Sequence, residues 1–107
     1  MNNFIQISDA LAKREASNKR YHEFLRAPAM SAGVYALKAG EKDLQSPHHE
    51  DEMYYVVSGR ARMKVGDEDQ EVSAASVVFV AAKVEHRFYD IQEDLTLLVF
   101  FAPAETE

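Results

Sequence analysis

From residue 21 to residue 103 the chain consists of short apolar runs separated by polar turn residues, with no helical repeat between them. The run at 60–66 shows this most clearly, because Ala61, Met63 and Val65 alternate with basic residues. Such alternation places the apolar side chains on one face of a β-strand and leaves the other face to water. The whole region contains about eight such runs. Many short strands without intervening helices favour antiparallel pairing, so we expect an all-β sandwich or closed barrel.

The segment ahead of the strands predicts one short helix. In ISDALAKREASNKR, Ser8 or Asp9 can cap the N-terminus, and good helix formers follow. Its apolar face is narrow, so we expect it to lie across one edge or end of the β-domain. We therefore divide the 107 residues into an N-terminal helical extension over 1–20 and a single barrel domain over 21–107. The polar AETE tail is expected to fray.

Charge and composition exclude several classes of function. The net charge is −6 and the basic residues are scattered, so we expect no nucleic-acid partner. The chain has no cysteine, so any metal must be held by nitrogen and oxygen ligands. It shows neither a secretory signal pattern nor a stretch of about 18 apolar residues, and we therefore expect a cytoplasmic protein without a membrane partner.

The stretch QSPHHEDEMYYVVSGR, at 45–60, places ligand-type side chains directly ahead of an apolar strand. In an extended conformation His48, Glu50, Glu52 and Tyr54 point to the same side. A carboxylate that faces an interior without a partner costs several kcal/mol. Glu52 therefore needs a cation or a proton.

Two kinds of partner fit this requirement. Imidazole nitrogen together with carboxylate oxygen suits a divalent ion such as zinc, iron, nickel or manganese, and His86, at the start of a later strand, adds a third ligand-type residue. The alternative is an ion pair with Arg60, Arg62 or Arg87, or an acidic cluster that is simply solvated at the mouth of a hairpin.

At these residues the sequence resembles the cupin superfamily. The first cupin motif runs glycine, five residues, histidine, one residue, histidine, three or four residues, glutamate, six residues, glycine. Gly40, His48, Glu52 and Gly59 fall on it in register, whereas Ser46 occupies the position of the first histidine.

The second cupin motif runs glycine, five residues, proline, one residue, glycine, two residues, histidine, three residues, asparagine. Laid over this sequence it meets Ala75, Ala81, Lys83, His86 and Asp90, so the histidine alone is kept. The missing residues shape tight turns rather than bind metal. If the family turn is retained, Lys83 in place of glycine is strained; otherwise it adopts a conventional φ.

The resemblance covers residues 31–103 and is closest to small single-domain microbial cupins. It implies a jelly-roll barrel (double-stranded β-helix), often a homodimer, with one divalent transition metal (Fe, Zn, Ni or Mn) held by His48, Glu52 and His86. Three protein ligands leave coordination positions open for water and substrate. His49 is a substitute ligand if the loop bends, because its parity is wrong for a straight strand.

Tyr54 and Glu50 are the candidate catalytic residues. Tyr54 shares a face with Glu52 and can act as an acid, a base or a substrate contact, although a core aromatic is the alternative interpretation. Glu50 has the parity of a base or of a residue that supports a ligand. We expect an oxygenase, isomerase or lyase that acts on a small organic molecule; the alternatives are a non-catalytic ligand-binding barrel and a metal-free structural barrel.

Overall fold

The protein is described by a computed structural model over residues 3–106, which contain one helix and six β-strands. The elements are α1 (Ile7–Ser17), β1 (Tyr21–Ala27), β2 (Met30–Leu37), β3 (Asp51–Val65), β4 (Glu68–Ser73), β5 (Val77–Val80) and β6 (His86–Ala102). The expected all-β class is confirmed. The expected number of strands is wrong, because the runs on either side of residues 58–59 form one long strand, β3, and the last two apolar runs form another, β6.

The N-terminal helix forms where the sequence predicts it, but its cap is different. The N-cap is Gln6, whose carbonyl accepts the first helical hydrogen bonds from the backbone N–H groups of Asp9 and Ala10. Ser8 and Asp9 therefore lie within the first turn, and their assignment as the cap is wrong. Ala10 is buried, and α1 packs against β1 and β2 at one edge of the sheet. Among the described residues no helix is long and apolar enough to cross a bilayer.

The strands form one antiparallel sheet in the order β1-β2-β6-β3-β4, and β5 also pairs with β3. The two long strands pair with each other along their whole length: 51–58 with 96–102, and 60–65 with 86–93. On the other edge of β3, β5 pairs with its first half and β4 pairs with its second half. Over residues 3–106 the sheet thus curls around one core, but no pair of strands closes it, so the expectation of a fully closed barrel is wrong.

Gly59 lets β3 exchange its buried face halfway along. Before it, the buried side chains are at the even-numbered positions 52, 54 and 56; after it, Ala61 and Met63 are buried and Lys64 is exposed. The register with β6 shifts at this point, as in a β-bulge. Gly59 has φ 99°, and a Cβ there would lie 2.3 Å from the carbonyl oxygen of Asp94. No other residue type fits this bulge without moving the backbone of β6.

Three positions of the second cupin motif keep its turn geometry without its residues. Ala75 (φ 73°) and Lys83 (φ 67°) stand where the motif has glycine, and Asp90 (φ 47°) stands where it has asparagine. Left-handed backbone costs a residue with a side chain about 1–3 kcal/mol, and aspartate tolerates it better than most. Of the two expectations for Lys83, a conventional φ is therefore wrong: the residue has a left-handed, strained backbone, as expected if the family turn is retained.

The core fills the space inside the curled sheet and ends at the mouth where β3 and β6 begin. Its large buried side chains each contribute about 1.5–3 kcal/mol of transfer free energy. They include Leu37, Tyr54, Val56, Met63, Phe88, Leu95, Leu97, Val99 and Phe101. The C-terminal tail lies against this mouth, where the backbone N–H of Glu105 donates to Ser31 Oγ at 2.9 Å. The expectation that the tail frays is therefore wrong for 104–106, and Glu107 lies outside the described residues.

Candidate metal centre

Three of the predicted site residues, His48, Glu52 and His86, meet at the mouth of the barrel. Glu52 is the second residue of β3, His86 is the first of β6, and His48 lies in the loop ahead of β3. Glu52 Oε1 is 3.1 Å from His86 Nε2 and 3.7 Å from His48 Nε2. One donor atom from each residue lies within 4.8 Å of the others. Donors around a single zinc ion, each bound at about 2.1 Å, are separated by roughly 3–3.5 Å, so this group is close to the size of a metal site.

The orientation of His86 is fixed by the backbone. Its Nδ1 is 2.9 Å from the carbonyl oxygen of Val84, and because a carbonyl only accepts, Nδ1 carries the proton and Nε2 carries the lone pair. Burial lowers the pKa of His86, but the Glu52 carboxylate and the Val84 carbonyl outweigh burial, so the pKa is raised. In its neutral form the ring presents a bare Nε2 to Glu52, and in its protonated form it presents an Nε2–H group to that carboxylate.

Glu52 is 2% exposed, and among the described residues neither of its carboxylate oxygens has a hydrogen-bond partner. Nε2 of His86 is equally without one, so the 3.1 Å contact between them lacks the geometry of a hydrogen bond. A buried carboxylate that faces a nitrogen lone pair is costly unless a cation or a proton lies between them. The donor set of two imidazoles and one carboxylate suits a divalent transition metal.

His48 is held less firmly than His86, by side chains rather than by the backbone. Its side chain is 20% exposed; Nδ1 is 3.2 Å from Glu105 Oε2, and Nε2 is 3.3 Å from Gln45 Oε1. Its ring also packs edge-on against Phe101, with ring centroids 5.0 Å apart. The hydrogen bond with Glu105 raises the pKa of His48, against the opposing effect of burial and with a smaller contribution from Glu52.

The turn of the second motif holds the loop of the first. The backbone N–H of Lys83 donates to the carbonyl oxygen of His48 at 2.6 Å, and that of Ala82 donates to Asp51 Oδ1 at 2.9 Å. The left-handed residue Lys83 thus lies at the contact between the two regions that contain the candidate ligands. These hydrogen bonds place the His48 loop over the start of β6.

Two functional residues, Asp43 and Gln45, were not singled out from the sequence. Asp43 is buried: its Oδ1 accepts from the Tyr35 hydroxyl at 2.8 Å, and its Oδ2 accepts from Gln45 Nε2 at 2.9 Å and from the Phe88 N–H at 3.0 Å. Because Nε2 of Gln45 faces Asp43, its Oε1 faces the site and accepts from the Tyr54 hydroxyl at 2.9 Å. In the sequence, the only signal for Asp43 and Gln45 is that an acid and an amide precede the histidines by a few residues. Both lie in a loop, where the alternation of a strand cannot predict the direction of a side chain.

The candidate catalytic residues lie at different places. Tyr54 is fully buried, and burial, with the Glu52 carboxylate, raises its pKa well above the usual value, so the phenol is a neutral donor. Glu50 is also buried, but its Oε2 accepts from the backbone N–H and the hydroxyl of Thr106, at 3.2 Å and 2.7 Å. Glu50 is not among the residues that line the cavity at the histidines.

The remaining residues of the motif region point outward. Ser46 and His49 are exposed, so the loop presents His48 alone, in line with the parity expected for His49. The three arginines that were considered as partners of Glu52 interact elsewhere: Arg60 with Glu93, Arg62 with Asp69, and Arg87 with the ring of Tyr89. The arginine alternative for neutralising Glu52 therefore has no support in the described contacts.

A cavity of about 170 Å³ adjoins the three candidate ligands and is lined by two of them, His48 and Glu52. It is lined by Tyr21, Tyr35, Gln45, His48, Glu52, Val99, Phe101 and Glu105. The Tyr21 hydroxyl is buried and has no hydrogen-bond partner within residues 3–106. Its ring crosses β2 at Gly33, where a Cβ would lie 2.5 Å from the tyrosine oxygen. The cavity can accommodate a molecule of a few heavy atoms and offers it a free hydroxyl.

Comparison with known proteins agrees with this architecture. The family model for the cupin domain matches residues 33–101. An uncharacterized protein of Streptomyces coelicolor is 48% identical over 101 residues, which cover 94% of this chain and 96% of that protein.

Two solved structures show the same fold at low sequence identity. An RmlC-like cupin from Shewanella frigidimarina superposes with a TM-score of 0.70 at 20% identity, covering 78% of this chain and 75% of that one. The structure of Fe(II)-HppE with an alternative substrate superposes with a TM-score of 0.65 at 22% identity, covering 76% of this chain and 48% of that one. With a family match over residues 33–101 and both motif regions in the expected places, the chain belongs to the cupin family.

Proposed function

We propose that the protein binds one divalent transition metal, iron, zinc, nickel or manganese, through Glu52 and the Nε2 atoms of His48 and His86. The observation that carries this proposal is the buried Glu52 carboxylate, which lies 3.1 Å from Nε2 of His86 without the geometry of a hydrogen bond. A metal cation neutralises the carboxylate and uses both lone pairs at once. The likeness in fold to Fe(II)-HppE, an iron-containing protein, supports metal binding by analogy alone.

We further propose that the bound metal serves an enzyme, an oxygenase, isomerase or lyase acting on a small organic molecule. When bound at three protein ligands, such a metal polarises a substrate oxygen or activates water or dioxygen at its open positions. The chain itself contributes the Tyr21 hydroxyl as a free substrate contact. Tyr54 remains a candidate catalytic residue, and its hydroxyl donates a hydrogen bond to Gln45 Oε1 beside the site. Glu50 affects the site indirectly, because it accepts a hydrogen bond from Thr106 in the C-terminal tail.

The charges around the cavity favour a neutral or cationic substrate. Glu52 and Glu105 both line it, and no lysine or arginine does. A divalent metal offsets these two carboxylates, which leaves no excess positive charge for an anion. An anionic substrate would have to displace Glu105 from His48.

The competing function is a barrel that binds a small ligand without turnover. The small volume of the cavity and its tyrosine hydroxyls suit such a ligand with or without a metal. This function predicts ligand-induced stabilisation that survives removal of the metal, whereas the enzyme loses substrate binding with its metal.

Metal analysis of tag-free protein tests the proposal. We expect one equivalent of metal in the wild type after reconstitution, and its loss in His48→Ala, Glu52→Gln and His86→Ala. His49→Ala is the matched control, because His49 is an exposed neighbour of His48, and it should keep the metal. A wild type that takes up none of the four metals, or a Glu52→Gln variant that binds as tightly as the wild type, would contradict the proposal.

We also propose that the chain forms a homodimer, as the family resemblance implies. Met53 and Tyr55 on β3 lie opposite Phe79 and Val77 on β5, and all four side chains are exposed by 37% or more. A contiguous apolar sheet face of this kind suits a second copy of the chain. Light scattering should give the mass of a dimer, and Phe79→Glu should give a folded monomer. A wild type that is monomeric at high concentration would exclude this assembly.

A further inference from the structure

The C-terminal tail is anchored across the mouth of the barrel on both sides of Glu105. The backbone N–H of Glu105 donates to the buried Ser31 Oγ, and its carbonyl accepts from Arg26 Nη2 at 2.8 Å. The next residue, Thr106, donates twice to Glu50. Four hydrogen bonds therefore fix the backbone on both sides of the Glu105 side chain.

These anchors direct the Glu105 carboxylate at His48 from the side opposite Glu52. Glu105 Oε2 is 3.2 Å from Nδ1 of His48, whereas Glu52 Oε1 is on the Nε2 side at 3.7 Å. An ionised carboxylate only accepts hydrogen bonds, so Glu105 favours a proton on Nδ1 of His48. Nε2 lies 3.3 Å from Gln45 Oε1, which also only accepts, so the metal-free ring is protonated on both nitrogens, and a metal ion at Nε2 would replace the proton there.

We propose that Glu105 is a positioning residue of the metal centre, which fixes the tautomer and ring orientation of His48 so that Nε2 binds the ion. This inference rests on the proposed metal site. Glu105 itself is not part of the group of donor atoms that lie within 4.8 Å of one another. It acts through His48, as an acceptor on the far nitrogen of a metal-binding histidine usually does.

Both histidines have an oxygen acceptor beside Nδ1, but the acceptor differs in kind. Val84 supplies a neutral backbone acceptor to Nδ1 of His86, and Glu105 supplies a charged side-chain acceptor to Nδ1 of His48. His48 is in a loop and is the more exposed of the two, so its backbone is not held by strand pairing as that of His86 is. A carboxylate partner also raises the basicity of the ligand more than a carbonyl does.

Zinc affinity of the full-length chain, measured by competition with a chromophoric chelator, tests the inference. Loss of a partner of this kind typically lowers metal affinity about 10–100-fold, which we expect for Glu105→Ala. Glu105→Gln, which keeps a neutral acceptor, should fall between Glu105→Ala and the wild type. Glu71→Gln, on the exposed face of β4, is the matched control for the change in charge and should bind zinc like the wild type. Thermal unfolding of the metal-free variants checks that each is folded.

The tautomer of His48 supplies a readout that a merely structural role of the tail would not change. In nitrogen-15 spectra of the zinc-loaded wild type, both histidines should be protonated at Nδ1 and metal-bound at Nε2. In Glu105→Ala the Nδ1 proton of His48 should exchange rapidly with water, while that of His86, held by Val84, stays protected. Zinc bound through Nδ1 of His48, or a cobalt-substituted spectrum that shows Glu105 as a direct ligand, would overturn the inference.

The outcomes separate this inference from the proposed function. A wild type that binds no metal rejects the metal site and the role of Glu105 together. A wild type that binds zinc, with Glu105→Ala equally tight and His86→Ala weak, keeps the metal site and rejects the role of Glu105 alone.

Discussion

The two regions that contribute the proposed metal ligands differ in how they keep the family pattern. The first, at 40–59, retains its motif except for Ser46 at the first histidine position, and it includes the proposed ligands His48 and Glu52 and the bulge residue Gly59. The second, at 75–90, has lost every motif residue except His86. Its backbone is nevertheless left-handed at the positions where the motif has glycine or asparagine. The left-handed backbone of this region is thus present although glycine and asparagine, which adopt it most easily, are absent.

The difference teaches that the site depends on backbone placement in the second region and on side-chain identity in the first. Lys83 and Ala82 contribute backbone N–H groups to the His48 loop, and any residue can supply those. Strain of about 1–3 kcal/mol at a left-handed residue is tolerable where the surrounding structure offsets it. A proposed metal ligand, or the glycine at φ 99°, cannot be replaced in this way, because the side chain of the ligand and the absence of a side chain at Gly59 are themselves required.

The largest effect should come from removing one ligand from each region. We expect Glu52→Gln and His86→Ala to weaken zinc binding by more than about 100-fold, beyond the usual cost of losing a residue that only supports a ligand. Titration against a chelator measures both. Similar losses would make the two regions equal partners in the site, whereas tight binding by His86→Ala would reduce the second region to a scaffold.

The next effect concerns pH, which acts on a histidine from each region. The pKa values of His48 and His86 are both raised in the folded chain. Protonation therefore stabilises the metal-free protein fully below about pH 6.5, and this contribution is lost as the pH rises through the folded pKa values. Zinc needs the neutral rings and stabilises by about 2.7 kcal/mol at a concentration of 100 times its Kd.

The gap in melting temperature between zinc-loaded and metal-free protein should consequently widen from pH 6 to pH 8. Circular dichroism melts with zinc or with EDTA measure this gap at each pH. The double variant His48→Ala and His86→Ala serves as the control and should show no widening. A gap that narrows with rising pH would contradict the assignment of these histidines as ligands.

A smaller effect should follow from filling the bulge of the first region. Gly59→Ala places a Cβ 2.3 Å from the Asp94 carbonyl oxygen and forces alanine into φ 99°. We expect a loss of about 1–3 kcal/mol in the free energy of unfolding, measured by urea denaturation. Gly40→Ala is the comparison, because its φ is also positive while no heavy atom lies within 4 Å of the added Cβ. If both variants lose the same amount, backbone strain rather than the contact with β6 sets the cost.

The smallest effect should be a gain, obtained by returning glycine to the second region. Ala75→Gly and Lys83→Gly relieve left-handed strain, which should outweigh the added flexibility of the unfolded chain and stabilise the fold by up to about 1 kcal/mol each. Chemical denaturation of each variant measures the change, with Ala82→Gly as the control at a neighbouring position without positive φ. Loss of stability in both variants would show that the side chains of Ala75 and Lys83 contribute more than their backbone costs.

The sequence by itself determined the all-β class, the outward face of the basic strand at 60–66, and the set of His48, Glu52 and His86. A period of two residues fixes which side chains share a face, and the resemblance to the cupin motifs indicates which of them come together at the proposed metal site. Those inferences need no knowledge of where a distant segment lies.

Tertiary structure alone decided the rest of the site. Asp43 reaches the N–H of Phe88, and Glu105 reaches His48, because the curled sheet brings a loop and the tail to the mouth where β3 and β6 begin. No local pattern marks these partners, since an acid in a loop looks the same whether it is solvated or buried against a partner 45 or more residues away. Parity orders side chains within a strand, but only the curling of the sheet places loop and terminal residues beside them.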